Sequence, residues 1–233
     1  MAPTNQKRII RDEFEFNGAV LPGRWATTLV GSATAALNAG QVDLSLIATN
    51  EVESARMSFG DQLSYPIDQI VEMRIWAKIT ASLNAAITAC FGLASAGNAA
   101  QTSIAQRALF RLVGNNSVVI NTSDGTLTNT DIAANDTLVN AWKLFTINFK
   151  EGKATAGPPI SQVGGQGGKS DILFAMDNTA APSSAGLRRV AQRTLFSMAN
   201  YGGGLQPYFQ IQKTIGTSTG TLSVRRVEVE YRL

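Results

Sequence analysis

The chain of 233 residues contains no histidine, which removes the usual general base, the commonest metal ligand and every Ser-His-Asp or Cys-His arrangement. It contains a single cysteine, Cys90, so no intrachain disulfide can form. That residue lies in the apolar run Ile87-Thr88-Ala89-Cys90-Phe91 and is expected to be a buried, inert thiol. No segment approaches about 18 uncharged apolar residues in a row, so no membrane-spanning helix and no membrane partner are expected. The opening residues MAPTNQKRIIRDEF are basic but hold no apolar core of the kind a signal peptide needs, and synthesis in a cytoplasm is the expectation. Basic residues exceed acidic ones only by 20 to 17. The small clusters Lys7-Arg8-Arg11, Arg188-Arg189 and Arg225-Arg226 lack interleaved aromatics, so they are expected to be solvated surface and not a nucleic-acid platform.

What the sequence has is two-residue periodicity. In the closing stretch GLQPYFQIQKTIGTSTGTLSVRRVEVEYRL, two alternating runs flank a turn of Gly, Thr and Ser. In the second run Leu222 and Val224 share one parity, while Val227, Val229, Tyr231 and Leu233 share the other. A slip of one residue at Arg225-Arg226 is the signature of a β-bulge. Alternation gives further strands at Asp12–Phe16, Gln41–Ala48, Ser54–Phe59, Gln69–Ala81, Ile87–Ala94, Ala108–Val113, Ser117–Asn121, Trp142–Phe149, Asp171–Met176, Arg193–Ala199, Pro207–Lys213 and Leu222–Leu233. Gly114-Asn115-Asn116, Ser123-Asp124-Gly125 and residues 178–186 supply reversals. This spacing predicts an all-β, antiparallel two-sheet sandwich in which Val71, Met73, Ile75, Ala77 and Ile79 face the core. Two alanine-rich stretches, Thr27–Ala39 and Ala96–Arg107, compete as short helices, and little helix is expected overall.

A chain of this size buries about 70% of its extended surface in one core, and no charged or proline-rich linker interrupts the middle. The expected organisation is a flexible arm at residues 1–11 and one domain at residues 12–233. Residues 152–170, GKATAGPPISQVGGQGGKS, form the longest stretch without periodicity. They lack the GxxxxGK[ST] pattern of a phosphate cradle and are expected to be an arm to a neighbouring subunit or an exposed insertion.

Carboxylates are the remaining route to catalysis. Glu51/Glu53 and Glu228/Glu230 each place two on one strand face, but neither pair continues to a third acidic residue, so the outward face of an edge strand is the expected setting. Asp171, Asp177 and Asn178 are oxygen ligands that a calcium ion accepts, although the same residues are ordinary turn chemistry. Trp76 falls on the opposite parity from Val71, Met73 and Ile75, hence on an outer sheet face where it suits a subunit interface or packing. No catalytic, cofactor or metal residue is expected.

The order of several segments resembles the concanavalin A-like (laminin-G or lectin-type) jelly-roll modules that tailed bacteriophages use as virion proteins. They are Asp12-Glu13-Phe14 with Trp25, Ala55-Arg56-Met57-Ser58-Phe59, Glu72-Met73-Arg74-Ile75-Trp76, Phe91-Gly92-Leu93, residues 142–147, residues 172–177 and the closing stretch from Leu205. The resemblance covers most of residues 12–233 by pattern and order. Positions that carry metal and sugar in the lectins find no match here, so what it implies is the jelly-roll scaffold. It further implies a capsid decoration (cement) protein that binds a major capsid protein and copies of itself. Lys7, Arg8, Arg11 and Trp76 are then the expected contacts. A carbohydrate-binding tail fibre or spike, or another lectin-like adhesion module, is the alternative it leaves open.

Overall fold

The computed structural model describes residues 8–80, 83–114, 116–149, 169–177, 187–197 and 201–233. In chain order the strands are β1 (Ile9–Glu15), β2 (Ala26–Val30), β3 (Thr34–Asn38), β4 (Gln41–Leu46), β5 (Glu53–Ser58), β6 (Tyr65–Pro66), β7 (Ile70–Thr80) and β8 (Ile87–Ala94). They continue with β9 (Gln106–Val113), β10 (Ser117–Asp124), β11 (Thr128–Thr137), β12 (Lys143–Asn148), β13 (Lys169–Asp177), β14 (Leu187–Ser197), β15 (Gly204–Lys213) and β16 (Gly220–Arg232). A 3-10 turn at Gln101–Ser103 is the sole helical element among the described residues.

Two eight-stranded sheets face each other. One, here sheet A, runs β14-β13-β12-β7-β16-β4-β3 with β1 also on β16; the other, sheet B, runs β11-β10-β9-β8-β15-β5-β2 with β6 on β15. Every pairing is antiparallel, as expected of a jelly-roll sandwich. The period-2 pattern is obeyed where it was clearest: Met73, Ile75, Ala77 and Ile79 of β7 have no exposed surface, while Glu72, Arg74, Trp76 and Lys78 lie on the outer face. Aromatic rings bridge the two sheets. Phe91 and Phe110 of sheet B meet Phe145 of sheet A edge-on, with centroids 4.7 and 4.9 Å apart, and Trp25 and Phe59 pack together at 4.7 Å near Phe14, Phe16 and Phe209.

The register of β16 shifts between Val224 and Arg226, where the sequence pattern slips. The extra residue, Arg225, is exposed, and Leu222, Val224, Val227 and Val229 all reach the core. The shift also marks a change of neighbour: β16 pairs β4 through residues 220–224 and β1 through residues 226–232, with β7 along its other side.

Several boundaries differ from the sequence expectation. The arm does not extend to Arg11, because β1 begins at Ile9 and Ile9, Ile10 and Arg11 pair with Arg232, Tyr231 and Glu230. Backbone hydrogen bonds to a ready strand edge outweigh the polar, basic composition of that segment. The alanine-rich stretch 27–39 is strand, not helix: β2 and β3 form a hairpin-linked pair of edges, one on each sheet, joined through Gly31 at φ +64. A Cβ there would lie 2.6 Å from the Val52 carbonyl oxygen. Pairing to β5 and β4 overrides alanine's helix preference. In the stretch 96–107 the 3-10 turn is the helical element, and Gln106 and Arg107 open β9. Residues 152–168 of the Gly-rich stretch lie outside the described residues, and Lys169 and Ser170 open β13.

One charge pair sits inside this fold. Lys213 Nζ lies 3.1 Å from a Glu53 carboxylate oxygen with neither side chain exposed. The Lys213 ammonium donates to the carbonyls of Ile47 and Thr49 at 2.6 and 2.7 Å, while Glu53 accepts from the Ile47 amide at 2.8 Å and from the Thr49 hydroxyl. The pair thereby pins the β4–β5 connection against β15. Replacing Lys213 by Met alone should cost about 3–5 kcal/mol in denaturant unfolding, because a buried carboxylate loses its counterion. The double replacement Lys213→Met with Glu53→Leu should recover most of that loss, and an equally unstable double variant would show that the pair is not the cause.

Candidate functional site

The outer face of sheet A carries an ion-pair lattice. Arg11 of β1 bonds Glu230, and Arg226 reaches Glu228 at 2.6 Å and Glu13 at 2.7 Å. Arg74 lies 2.5 Å from Glu72 and 3.6 Å from Glu228. Strand pairing generates this arrangement, since the register sets Glu13, Glu228 and Arg74 in one row and Arg11, Glu230 and Glu72 in the next. Trp76 lies on this face half-buried, with the Arg226 guanidinium 5.2 Å from its ring centroid, so its face is already occupied by a cation. Arg11 is likewise engaged within the chain. Arg8 is exposed, its carbonyl accepting the Leu233 amide at 3.1 Å, and Lys7 lies outside the described residues.

Neither carboxylate pair sits on the outward face of an edge strand as expected. Strand β16 is flanked by β7 on one side and by β4 and β1 on the other; β5 lies between β15 and β2. Glu228 is 3% exposed and shared among arginines, and Glu53 is committed to Lys213. Hydrogen bonds from Ser32 and Thr49 hold the Glu51 carboxyl below the usual carboxylate range. Asp171 and Asp177 stand at opposite ends of β13, opposite Leu195 and Leu187; their side chains and Asn178 lie outside the described residues. Among the described residues no three metal-ligating side chains come together.

The outer face of sheet B is built differently. Strand β9 reads QRALFRLV, and its even positions Ala108, Phe110 and Leu112 face the core. Arg107, Leu109 and Arg111 therefore face outward, yet Arg107 is only 3% exposed and Arg111 7%. A connection between β8 and β9 covers them. Its Asn98 carbonyl accepts the Tyr208 hydroxyl at 3.1 Å, its Ala99 carbonyl accepts Gln210 Nε2 at 3.4 Å, and its Gly97 amide donates to Asp61 at 2.8 Å. Ile104 seals an apolar cluster with Cys90, Ala94, Leu109 and Tyr208. Burial pushes the Cys90 thiol and the Tyr208 hydroxyl up, which leaves both neutral at ordinary pH.

Beneath the cover, Arg107 donates to Asn121 Oδ1 and to the Ile104 carbonyl. Arg111 donates to Asp131 and, at 3.2 Å, to Gln101 Oε1. Asp131 also accepts Asn121 Nδ2 at 3.1 Å. A bulge delivers that carboxylate: Asp131 has φ +50 where the β10–β11 register shifts between Ile120 and Thr122. None of these residues was singled out from the sequence. The available signal was a pair of arginines four positions apart on one parity of an otherwise apolar strand, and the alanine-rich stretch ending at Arg107 masked it.

No family model matches the chain, and no curated protein sequence is similar to it. Solved structures do match. A protein of unknown function from Shewanella oneidensis MR-1 superimposes with a TM-score of 0.56 at 12% identity, covering 97% of this chain and 87% of its own. The carbohydrate recognition domain of Emp47p gives 0.57 at 8% identity over 93% and 92%. A prokaryotic β-1,3-1,4-glucanase (lichenase) from a mouse hindgut metagenome gives 0.55 at 13% identity over 94% and 98%. At these identities the likeness establishes the fold alone: a concanavalin A-like jelly-roll sandwich.

One carboxylate of the sheet A lattice carries a pH signature. Burial, and then the neighbouring Glu230, raise the Glu72 carboxyl above its ordinary range against the opposing pull of Arg74. The folded state therefore holds this proton more tightly than the unfolded chain, and its contribution to stability is present at low pH and lost as pH rises through the folded value. Glu72→Gln should melt with the parent near pH 4 and at least about 2 °C above it at pH 7. A pH-independent difference in thermal midpoint would overturn the assignment.

Proposed function

We propose that the chain is a non-catalytic assembly module, a structural protein of a bacteriophage virion that decorates and stabilises the outer capsid surface. The observation that carries this reading is the free edge formed by β2. All five of its residues are exposed, and it ends sheet B with no described strand on its outer side. No charged residue occurs between Arg24 and Asp43, so β2, its turn and β3 contain none of the lysines, prolines or other devices that keep natural sheet edges from pairing. Leu29, Val30, Ile47 and Val52 add exposed apolar surface close to that edge. An edge of this kind suits strand addition to another protein chain, where main-chain hydrogen bonds give affinity and many copies on a shell multiply a modest contact.

The chemistry-bearing side chains support a role without turnover. Glu53 and Glu228 are locked in ion pairs, Glu51 is held by Ser32 and Thr49, and Cys90 is buried. Attachment through the N-terminal residues now rests on Lys7 and Arg8, since Arg11 belongs to β1. Copies of the chain join through β2 into a small homo-oligomer, an antiparallel β2–β2 contact opposing no like charges. A carbohydrate-binding tail fibre, spike or other lectin-like adhesion module is the second reading, favoured by the likeness of the fold to a carbohydrate recognition domain.

The test is cosedimentation of the full chain with expanded empty capsids assembled from the major capsid protein encoded in the same genome. Val30→Lys should keep its thermal midpoint within about 2 °C and lose roughly tenfold or more in capsid occupancy. Deleting residues 2–7 should leave the fold intact and also lower occupancy. Undiminished binding by both variants would sink this attachment mode, while no capsid affinity together with retention on a polysaccharide matrix would move the conclusion to the second reading.

A further inference from the structure

Two guanidiniums lie under the β8–β9 cover with one carboxylate between them. Arg111 is paired with Asp131, but Arg107 has only neutral acceptors, Asn121 Oδ1 and the Ile104 carbonyl, among the described residues. The cluster therefore holds one more positive charge than negative. That excess is costly at 3% exposure, and burial followed by the nearby Arg111 pulls the Arg107 guanidinium below its ordinary value. A second group is also left incomplete. Gln101 is 2% exposed, and its Oε1 is fixed by the Arg111 Nε donor at 3.2 Å. Its orientation is thus determined, and its Nε2 stands buried with no acceptor among the described residues.

Missing charge and missing acceptor coincide at one place. We infer that this polar cluster under residues 97–104 binds a carboxylate-bearing ligand, whose oxygens satisfy Gln101 Nε2 and supply the countercharge that Arg107 lacks among the described residues. A monoanion fits better than a phosphate or sulfate dianion, because one negative charge brings the cluster to neutrality and two would leave a buried surplus. A carboxylate is also an established partner for a guanidinium, as the existing Arg111–Asp131 pair illustrates. Asp131, whose side chain is 33% exposed, is the member of the cluster that reaches solvent. The ligand's carboxylate comes from a sugar acid or from a free organic acid. This site is independent of the β2 edge and of capsid attachment.

The test is the thermal midpoint of the full chain at pH 7 in sodium acetate, sodium glucuronate, sodium sulfate and sodium chloride at matched ionic strength. A saturating rise of about 3 °C or more in acetate or glucuronate over chloride is expected, as for any ligand that binds the folded state alone. Whichever of the two saturates at lower concentration identifies the source, glucuronate marking a sugar acid and acetate a bare organic acid. Gln101→Met removes the donor that the ligand would satisfy and should lose the carboxylate response. Arg107→Gln should lose the response as well. Equal midpoints in all four salts would overturn the inference. So would a rise that is largest in sulfate and persists in Gln101→Met, which is a general salt effect.

Discussion

Strand β16 is the constraint on which the rest of the sandwich depends. It hydrogen-bonds three others, with β7 along one side and β4 then β1 along the other. Its side-chain alternation slips close to where β4 gives way to β1, and the bulge at Arg225 accommodates that slip. Without the slip, either Leu222 and Val224 or Val227 and Val229 would turn to solvent. Beyond β7 in the same sheet, β12 and β13 bring Phe145 and Phe174 against Phe91 and Phe110 of sheet B.

The two sheets dispose of charge in opposite ways. On the outside of sheet A, arginines and glutamates of β1, β16 and β7 form ion pairs across and along the strands. On the outside of sheet B, two cations are roofed over by a chain segment that itself brings an unfulfilled amide. A sandwich needs only its inner faces to fold. The outer faces are where the sequence is free to specialise, and here one is closed by electrostatics while the other is held short of completion.

Much of this architecture was legible in the sequence, and the failures have definite causes. Alternation located β7, β12 and β16 closely, because each has one apolar and one polar face, and it located the bulge because a slip in parity has no other simple origin. Strands β2 and β3 were obscured by alanine, whose preference for helix is a property of isolated segments and gives way to cross-strand pairing. Strand β11, TNTDIAANDT, offers no apolar alternation at all, being held mainly by its ladder to β10. Carboxylates at Glu51/Glu53 and Glu228/Glu230 were misplaced because periodicity tells which side of a strand a residue occupies and nothing about where that strand lies in its sheet. The same limit hid the pairing of Glu53 with Lys213 and of Arg111 with Asp131, contacts made by folding distant segments together.

The contact between Arg8 and Leu233 has a topological consequence. With the Leu233 amide donating to the Arg8 carbonyl, the first and last described residues sit side by side, so the path of the chain is a nearly closed ring with a single cut. Joining those points by a short linker and opening the ring at an exposed turn would preserve every strand neighbour, which makes the fold a candidate for circular permutation. Cargo joined at Arg8, in place of the residues before it, or after Leu233 would emerge from one spot on the surface.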